Sequence, residues 1–255
     1  MNNMPFASLN NKLVIITGAS SGIGRSCAIT CSQLGASVVL IGRNPDKLQS
    51  VLSALEKGDH SIYSVDLTHY DELEKLVSAI VDQHGKISGF IHSAGTELTL
   101  PLNAMKPQLY EKLFSINVIA GFEFVKYIVS KKNIHEDGAS IVFIASMMSI
   151  LGQPAKIAYC SSKGAIVSAV KAMALELAQK KVRVNAISPG IVRTPLVDEM
   201  FKSIPEESQK SILDMHPLGI GLPEDVANAC AFLLSDNARW ITGTNLIIDG
   251  GYSAK

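Results

Sequence analysis

Cysteine is scarce in this chain of 255 residues: Cys27, Cys31, Cys160 and Cys230 are all it has, and no C-x-x-C pair occurs among them. So sparse and irregular a set excludes a disulfide scaffold, and Cys27 and Cys31, four apart on one face of an expected helix, read as buried free thiols. The histidines show no H-x-x-x-H spacing, so no catalytic metal is expected. An excess of one charge is missing too: Lys+Arg and Asp+Glu are 23 each, which lacks the basic footprint of a nucleic-acid binder. A long apolar run is also absent. The uncharged stretch from Gly138 to Ala155 falls short of the roughly 20 mostly apolar residues of a membrane span, because Ser146, Gly152 and Pro154 interrupt it. Met1 to Asn11 has no basic residue and no apolar core, so neither a secretory signal nor a transit peptide is expected, and a cytoplasmic location is. No linker-like composition and no internal repeat breaks the chain, and residues 1–255 are expected to form one domain.

What is there is alternation. Short β-branched runs (Leu13 to Thr17, Ser37 to Ile41, Ser61 to Val65, Ile87 to His92, Ile141 to Ala145, Val182 to Ile187 and Asn245 to Ile248) are separated by amphipathic segments such as Ser26 to Leu34 and Asp46 to Glu56. Near-continuous apolar strands joined by helices must be buried on both faces. The expected fold is therefore α/β: a single-domain, Rossmann-like, doubly wound parallel sheet of about seven strands with helices on both faces. Asn44-Pro45-Asp46 and Leu222-Pro223-Glu224-Asp225 read as helix starts. One long irregular stretch, about 189–217, carries Pro195 and Pro205 inside it and is expected to be a substrate lid.

Directly after the first strand stands Thr17-Gly18-Ala19-Ser20-Ser21-Gly22-Ile23-Gly24, opening a helix. Glycines there let the backbone turn tightly and approach a pyrophosphate, while amide groups at the helix start face the anion. The G-x-x-x-G-x-G spacing departs from G-x-G-x-x-G, and a plain strand-to-helix turn would use the same residues. The strand before it, the helix after it and the repeated βα pattern favour a nucleotide. The second strand ends Ile41-Gly42-Arg43 with no carboxylate before Asp46. An arginine at that place suits the 2′-phosphate of NADP, with Ser20 or Arg25 adding contacts, so NADP(H) is preferred over NAD(H). In isolation Arg43 would equally be a solvated loop residue. Asp66 and Leu67 close the third strand, where the carboxylate fits either an adenine amino group or a helix cap. Ser93-Ala94-Gly95 follows the fourth strand, small enough for a cofactor to pass close.

A Tyr-x-x-x-Lys pair places a phenol and an ammonium one turn apart on a helix. A lysine charge about 4 Å from a phenol is worth up to about 4 kcal/mol at an effective dielectric of about 20, or about three pKa units, which brings tyrosine into working range. The spacing occurs twice, as Tyr127/Lys131 and Tyr159/Lys163. Tyr159 lies among small residues with Ser146 upstream at a strand end, whereas the corresponding position before Tyr127 is Phe114, which cannot polarise a carbonyl. Tyr127/Lys131 reads as a surface helix turn.

Taken together, the glycine loop, Asp66, Ser93-Ala94-Gly95, Asn117, Ser146, Tyr159-x-x-x-Lys163, Ser188-Pro189-Gly190 and Asp249-Gly250-Gly251 resemble the short-chain dehydrogenase/reductase family over essentially the whole chain. The resemblance implies that Tyr159 donates a proton to a carbonyl oxygen as hydride arrives from the nicotinamide. It implies that Ser146 hydrogen-bonds that oxygen, that Lys163 lowers the tyrosine pKa and holds the nicotinamide ribose, and that Asn117 positions a relay water. Ile191 and Thr194, after Pro189-Gly190, match positions that bind the carboxamide and nearby phosphate. Members of this kind carry asparagine where this chain has His92, which is expected to substitute structurally.

Within the family the general pattern is that of 3-oxoacyl-acyl-carrier-protein reductases. Met147, Met148, Met200 and Phe201 suggest an apolar pocket. Lys131, Lys132, Lys180 and Lys181 are candidates for docking an acyl carrier protein near the mouth of the site, or are simply a solvated face. A 3-oxoacyl thioester is the first expectation for the substrate; another ketone or alcohol (sugar, steroid, xenobiotic) and a non-catalytic nucleotide sensor are the alternatives. The resemblance also implies a homotetramer.

Overall fold

Each β-branched run becomes a strand and each amphipathic segment a helix. The computed structural model describes residues 7–254, so residues 1–6 of the N-terminal segment and Lys255 lie outside it. In chain order the elements are β1 (Leu13–Thr17), α1 (Gly22–Gln33), β2 (Ser37–Gly42), α2 (Pro45–Leu52), β3 (Ser61–Ser64), α3 (Leu73–His84), β4 (Gly89–His92), α4 (Pro107–Phe114), α5 (Ala120–Ile128), β5 (Ala139–Ile144), α6 (Ile157–Leu177), β6 (Val182–Pro189), α7 (Pro195–Ser203), α8 (Glu206–Asp214), α9 (Pro223–Leu234) and β7 (Asn245–Ile248). The seven strands form one sheet in the order β3-β2-β1-β4-β5-β6-β7, with every neighbouring pair parallel. The order reverses between β1 and β4, which opens a crevice at their carboxyl ends, the place where ligands of open α/β sheets bind.

Side chains alternate across the sheet and build a core on each face. Ile15, Val39, Ile41, Phe90, Ile141 and Phe143 pack against α3, α5 and α6, where Phe90 stacks on Phe124 with ring centroids 5.3 Å apart. Val14, Ile16, Val38, Leu40, Ile91 and Val142 point the other way, against α1, α2 and α9. Cys27, Cys31 and Cys230 are free thiols within this second core; a hydrogen bond with Cys230, then burial, pushes Cys27 well above the ordinary thiol pKa, and burial does the same for Cys31. Among the described residues no three His, Cys, Asp or Glu side chains gather as a metal site would require, and no helix is long and apolar enough to cross a membrane.

Three expectations are corrected. The stretch 189–217 is largely helical, because its prolines start helices instead of breaking them. Pro195 opens α7 behind Thr194, whose hydroxyl accepts a hydrogen bond from Val197 N at 3.4 Å, and Pro205 directly precedes α8. The lysines offered for carrier docking sit at the wrong edge of the sheet. Lys131 and Lys132 immediately precede Asn133, whose carbonyl accepts from Ile87 N ahead of β4, while Lys180 and Lys181 lead into the start of β6. All four therefore lie at the amino-terminal ends of strands, away from the crevice. Lys131 also falls beyond the end of α5, so it does not share a helical turn with Tyr127.

Candidate active site

A cleft of about 870 Å³ runs along the carboxyl ends of the strands. Its first wall is the β1–α1 loop, where Gly18, Ser20, Ser21, Gly22 and Ile23 all line it. Gly18 has φ +67°, and a Cβ there would stand 2.7 Å from Ala94 N, so only glycine lets the loop lie this close to the β4 turn. Gly24 does not face the cleft; a Cβ on it would meet Gly18 O at 2.3 Å, which makes it the residue that seats α1 under the loop. The first turn of α1 carries no acidic residue, and Ser21 makes no side-chain cap, which leaves a helix start suited to an anion. The remaining expected cofactor residues converge on the same cleft: Arg43 beyond β2, Asp66 and Leu67 after β3, Ser93, Ala94 and Gly95 after β4, Pro189 at the end of β6, and Gly190, Ile191 and Thr194 after it. Asp66 accepts from both Thr68 N (2.9 Å) and Thr68 Oγ1 (2.8 Å), bonds that hold its carboxyl below the usual range. A neighbouring hollow, reached past Ser20 and Ser21, is lined by Arg25 and Lys47. Close backbone approach and an uncapped helix start fit a nicotinamide dinucleotide.

His92 and Asn117 stand behind this wall. The imidazole is 1% exposed, with Nδ1 3.0 Å from Thr17 Oγ1 and Nε2 3.2 Å from the Ile116 carbonyl. A carbonyl only accepts, so Nε2 carries the proton and Nδ1 accepts from the threonine hydroxyl. Thr17 Oγ1 in turn accepts from Ala94 N at 3.3 Å. Burial and the nearby Lys163 charge push the His92 pKa down to about 4, so the ring is neutral. The Ile116 carbonyl needs such a partner because residues 115–119 form a π-helical turn between α4 and α5, which displaces the regular hydrogen-bond ladder. Asn117, on that turn, is fully buried and does not line the cleft. Its Oδ1 accepts from Thr96 N (2.8 Å), and its Nδ2 donates to Thr96 O (3.0 Å) and Ser162 Oγ (3.1 Å), so its side chain braces the β4 loop against α6.

Ser146, Tyr159 and Lys163 do line the cleft together. Ser146 follows β5, and its Oγ accepts from Met148 N at 3.2 Å. Burial pushes the Tyr159 phenol up, and a hydrogen bond with the Ser146 side chain pulls it part of the way back. Lys163 is 6% exposed, donates to the Ile144 carbonyl at 2.7 Å and is pushed by burial down to about 8. Its Nζ stands 5.8 Å from the Tyr159 ring centre. The expected fall of the tyrosine pKa is not seen in these side chains alone: burial outweighs the Ser146 hydrogen bond, and the net direction is upward.

The family model described as Enoyl-(Acyl carrier protein) reductase matches residues 18–253. The chain belongs to the short-chain dehydrogenase/reductase family. An NAD-dependent glycerol dehydrogenase of Listeria innocua is 35% identical over 97% of this chain and 96% of its own length. A 3-oxoacyl-acyl-carrier-protein reductase of Rickettsia prowazekii is 36% identical over 95% of this chain and 97% of its own. The solved structure of a short-chain type dehydrogenase/reductase from Mycobacterium ulcerans superposes with TM-score 0.90 at 32% identity, covering 97% of this chain and 92% of that one.

In this short-chain dehydrogenase/reductase the cleft also holds groups that sequence reasoning missed. Glu97, two residues past Gly95, forms an ion pair with Lys156, and both line the cleft beside Tyr159. The Lys156 ammonium is 6.0 Å from the Tyr159 ring centre, so two lysines stand near this ring. Lys156 could have been noticed three residues ahead of Tyr159; nothing in sequence pairs it with Glu97. Thr17 was read only as a strand end, although its hydroxyl joins His92 to the cofactor wall.

Proposed function

We propose that this enzyme uses NADP(H) to reduce a ketone to a secondary alcohol, with Tyr159 as the general acid. The observation that carries this reading is the convergence of Ser146, Tyr159 and Lys163 on the one cleft that the glycine loop also lines. A bound nicotinamide supplies the hydride to the carbonyl carbon. Tyr159 gives its hydroxyl proton to the carbonyl oxygen, so that C=O becomes CH–OH, and the phenolate regains a proton from solvent. Ser146 orients that oxygen and stabilises negative charge as it develops there. Lys163, held by the Ile144 carbonyl, keeps a positive charge near the phenolate, and Asn117 fixes the loop on which the cofactor lies.

Arg43, which follows the end of β2 and lines the cleft, supports the preference for NADP(H), and Arg25 and Lys47 line the adjoining hollow together with Glu224. The first substrate reading, a 3-oxoacyl thioester delivered by an acyl carrier protein, draws its support from the named activity of relatives such as the Rickettsia enzyme. The Glu97–Lys156 pair favours the second, a small polar ketone or alcohol, a class to which the Listeria relative's named substrate belongs. Met200, Ile212 and Met215 line the cleft from the 189–217 segment, which supports its role as a lid. A cytoplasmic homotetramer completes the reading: Leu175 and Trp240, 83% and 91% exposed, are apolar surface that self-association would cover.

The test is NADPH oxidation against a panel of ketones, sugars and an acetoacetyl thioester, with NADH in parallel. Turnover of a carbonyl with tighter binding of NADPH is expected, and equal dissociation constants for the two cofactors would overturn the assignment of Arg43. Tyr159→Phe should cut turnover by about 10² or more while cofactor still binds. A variant that turns over normally would remove Tyr159 as the general acid, and an unaltered chain that binds cofactor but turns over no carbonyl would return it to the nucleotide-sensor alternative. Sedimentation as a monomer at assay concentration would remove the tetramer.

A further inference from the structure

Glu97 and Lys156 reach the cleft from opposite walls, one from the loop after β4 and the other from the start of α6. Holding an ion pair there costs desolvation, because the Lys156 side chain is only 12% exposed and that of Glu97 35%. The pair is not needed to start α6: Pro154 and Ala155 bring the chain in, and the Lys156 backbone already donates to the Gln153 carbonyl and accepts from Cys160 N. Its position beside Tyr159 puts it where the flank of a substrate must pass. A carboxylate and an ammonium side by side make distinct demands on that flank. A ketone, ester or thioester oxygen accepts only and would satisfy the lysine alone; a carboxylate or phosphate on the substrate would be repelled by Glu97; an alkyl chain would satisfy neither. A hydroxyl both donates and accepts at one atom, so it can give its proton to Glu97 and receive a hydrogen bond from Lys156 without breaking the pair apart.

We propose that Glu97 and Lys156 are specificity-determining residues that select a ketone carrying a hydroxyl group close to the reacting carbonyl, an α-hydroxy ketone in the reductive direction and a vicinal diol in the oxidative one. This rests on the proposed reduction of a carbonyl at Tyr159 and names the substrate class for it. Removing one member of the pair leaves the other without its partner and takes away half of the hydroxyl's bonding, so the cost falls on hydroxylated substrates and not on their alkyl analogues.

Hydroxyacetone and 2-butanone test this, since they differ by a hydroxyl in place of a methyl group. The ratio of their kcat/KM values, measured with NADPH on the same preparation, does not depend on how much of a variant is folded. In the unaltered enzyme hydroxyacetone is expected to lead by at least tenfold. In Lys156→Met, and independently in Glu97→Gln, the ratio should fall towards one. A ratio near one in the unaltered enzyme, or one that both variants leave unchanged, would overturn the inference. So would turnover of an acetoacetyl thioester with hydroxyacetone inert, which would leave Tyr159 and the proposed carbonyl reduction in place. Failure of every carbonyl with either cofactor would instead bring down the proposed function itself.

Discussion

Replacing His92 by asparagine should make the protein less sensitive to acid, and the size of the effect follows from what surrounds the ring. His92 is enclosed by Thr17, the Ile116 carbonyl, Gly121 and the rings of Phe90 and Phe143, and a Cβ on Gly121 would stand 2.8 Å from both His92 Cδ2 and Phe143 Cε1. No carboxylate is among these neighbours, and the charge that acts on the ring is the Lys163 ammonium. Protonation would put a second hydrogen on the ring, facing Thr17, where the threonine hydroxyl now donates to it. The folded protein therefore holds His92 neutral down to about 4, whereas the unfolded chain takes up the proton near 6.5.

The sign follows from proton counting. Between these two values the unfolded state binds more protons than the folded one, so stability falls as pH drops from above 6.5 towards about 4. Linkage gives a loss of about 2 kcal/mol at pH 5 and about 3 kcal/mol at pH 4 relative to pH 8. Urea unfolding at pH 8 and pH 5 should show the unaltered protein losing about 2 kcal/mol more than His92→Asn across that interval, whatever the substitution costs in packing at pH 8. The other histidines and the carboxylates are common to both proteins and cancel in the comparison. Asparagine can still reach a carbonyl and a hydroxyl, so turnover at neutral pH should survive. Equal losses in the two proteins would refute the claim that the buried ring is neutral, and complete loss of activity with the fold retained would show His92 to be more than a brace.

Three further outcomes follow from the same structure. Lys163→Met should raise the urea midpoint while abolishing turnover, because the ionised lysine is buried at a cost of about 3 kcal/mol, only about 1 of which its bond to the Ile144 carbonyl offsets; a lower midpoint would mean that the lysine stabilises the fold. Gly18→Ala forces a Cβ against the Ala94 amide at a left-handed φ, and should lower stability by about 1 to 3 kcal/mol and weaken dinucleotide binding, as read by thermal melting and fluorescence titration; unchanged binding would mean that the loop does not lie against the cofactor. Phe90→Ala empties the stack with Phe124 and should cost about 3 to 5 kcal/mol in denaturant unfolding; a cost below about 1 would contradict the packing described for that face.

How much of this was legible in the sequence depended on how local each signal was. The strands could be read because burial on both faces of a parallel sheet demands continuous apolar runs, and β1 and β7 fall within the very limits read from the pattern. Helix starts such as Asn44, whose side chain accepts from Lys47 N at 2.9 Å, are written in four consecutive residues. Pro195 and Pro205 misled because proline carries two meanings, breaker and N-terminal starter, and only the cap at Thr194 separates them. The misplaced lysines show a different limit. A run of charge says that a face is solvated, but which edge of the sheet it occupies depends on which strand follows it.

The proposed catalytic side chains could be found because Tyr159 and Lys163 are one turn apart on a single helix, and Ser146 follows the strand before it. The pair formed by Glu97 and Lys156 could not, since it joins two crossovers that meet only when β4 and β5 lie side by side. The same parallel order explains His92. Thr17 and His92 are register partners at the ends of β1 and β4, so a residue that looked like a local departure from a familiar strand end is in fact placed to bridge two loops that hold the cofactor. The imidazole is bulky, and Gly121 on α5 supplies the room for it. The histidine at 92 and the glycine at 121 fit each other, a relation visible only when the fold brings them together.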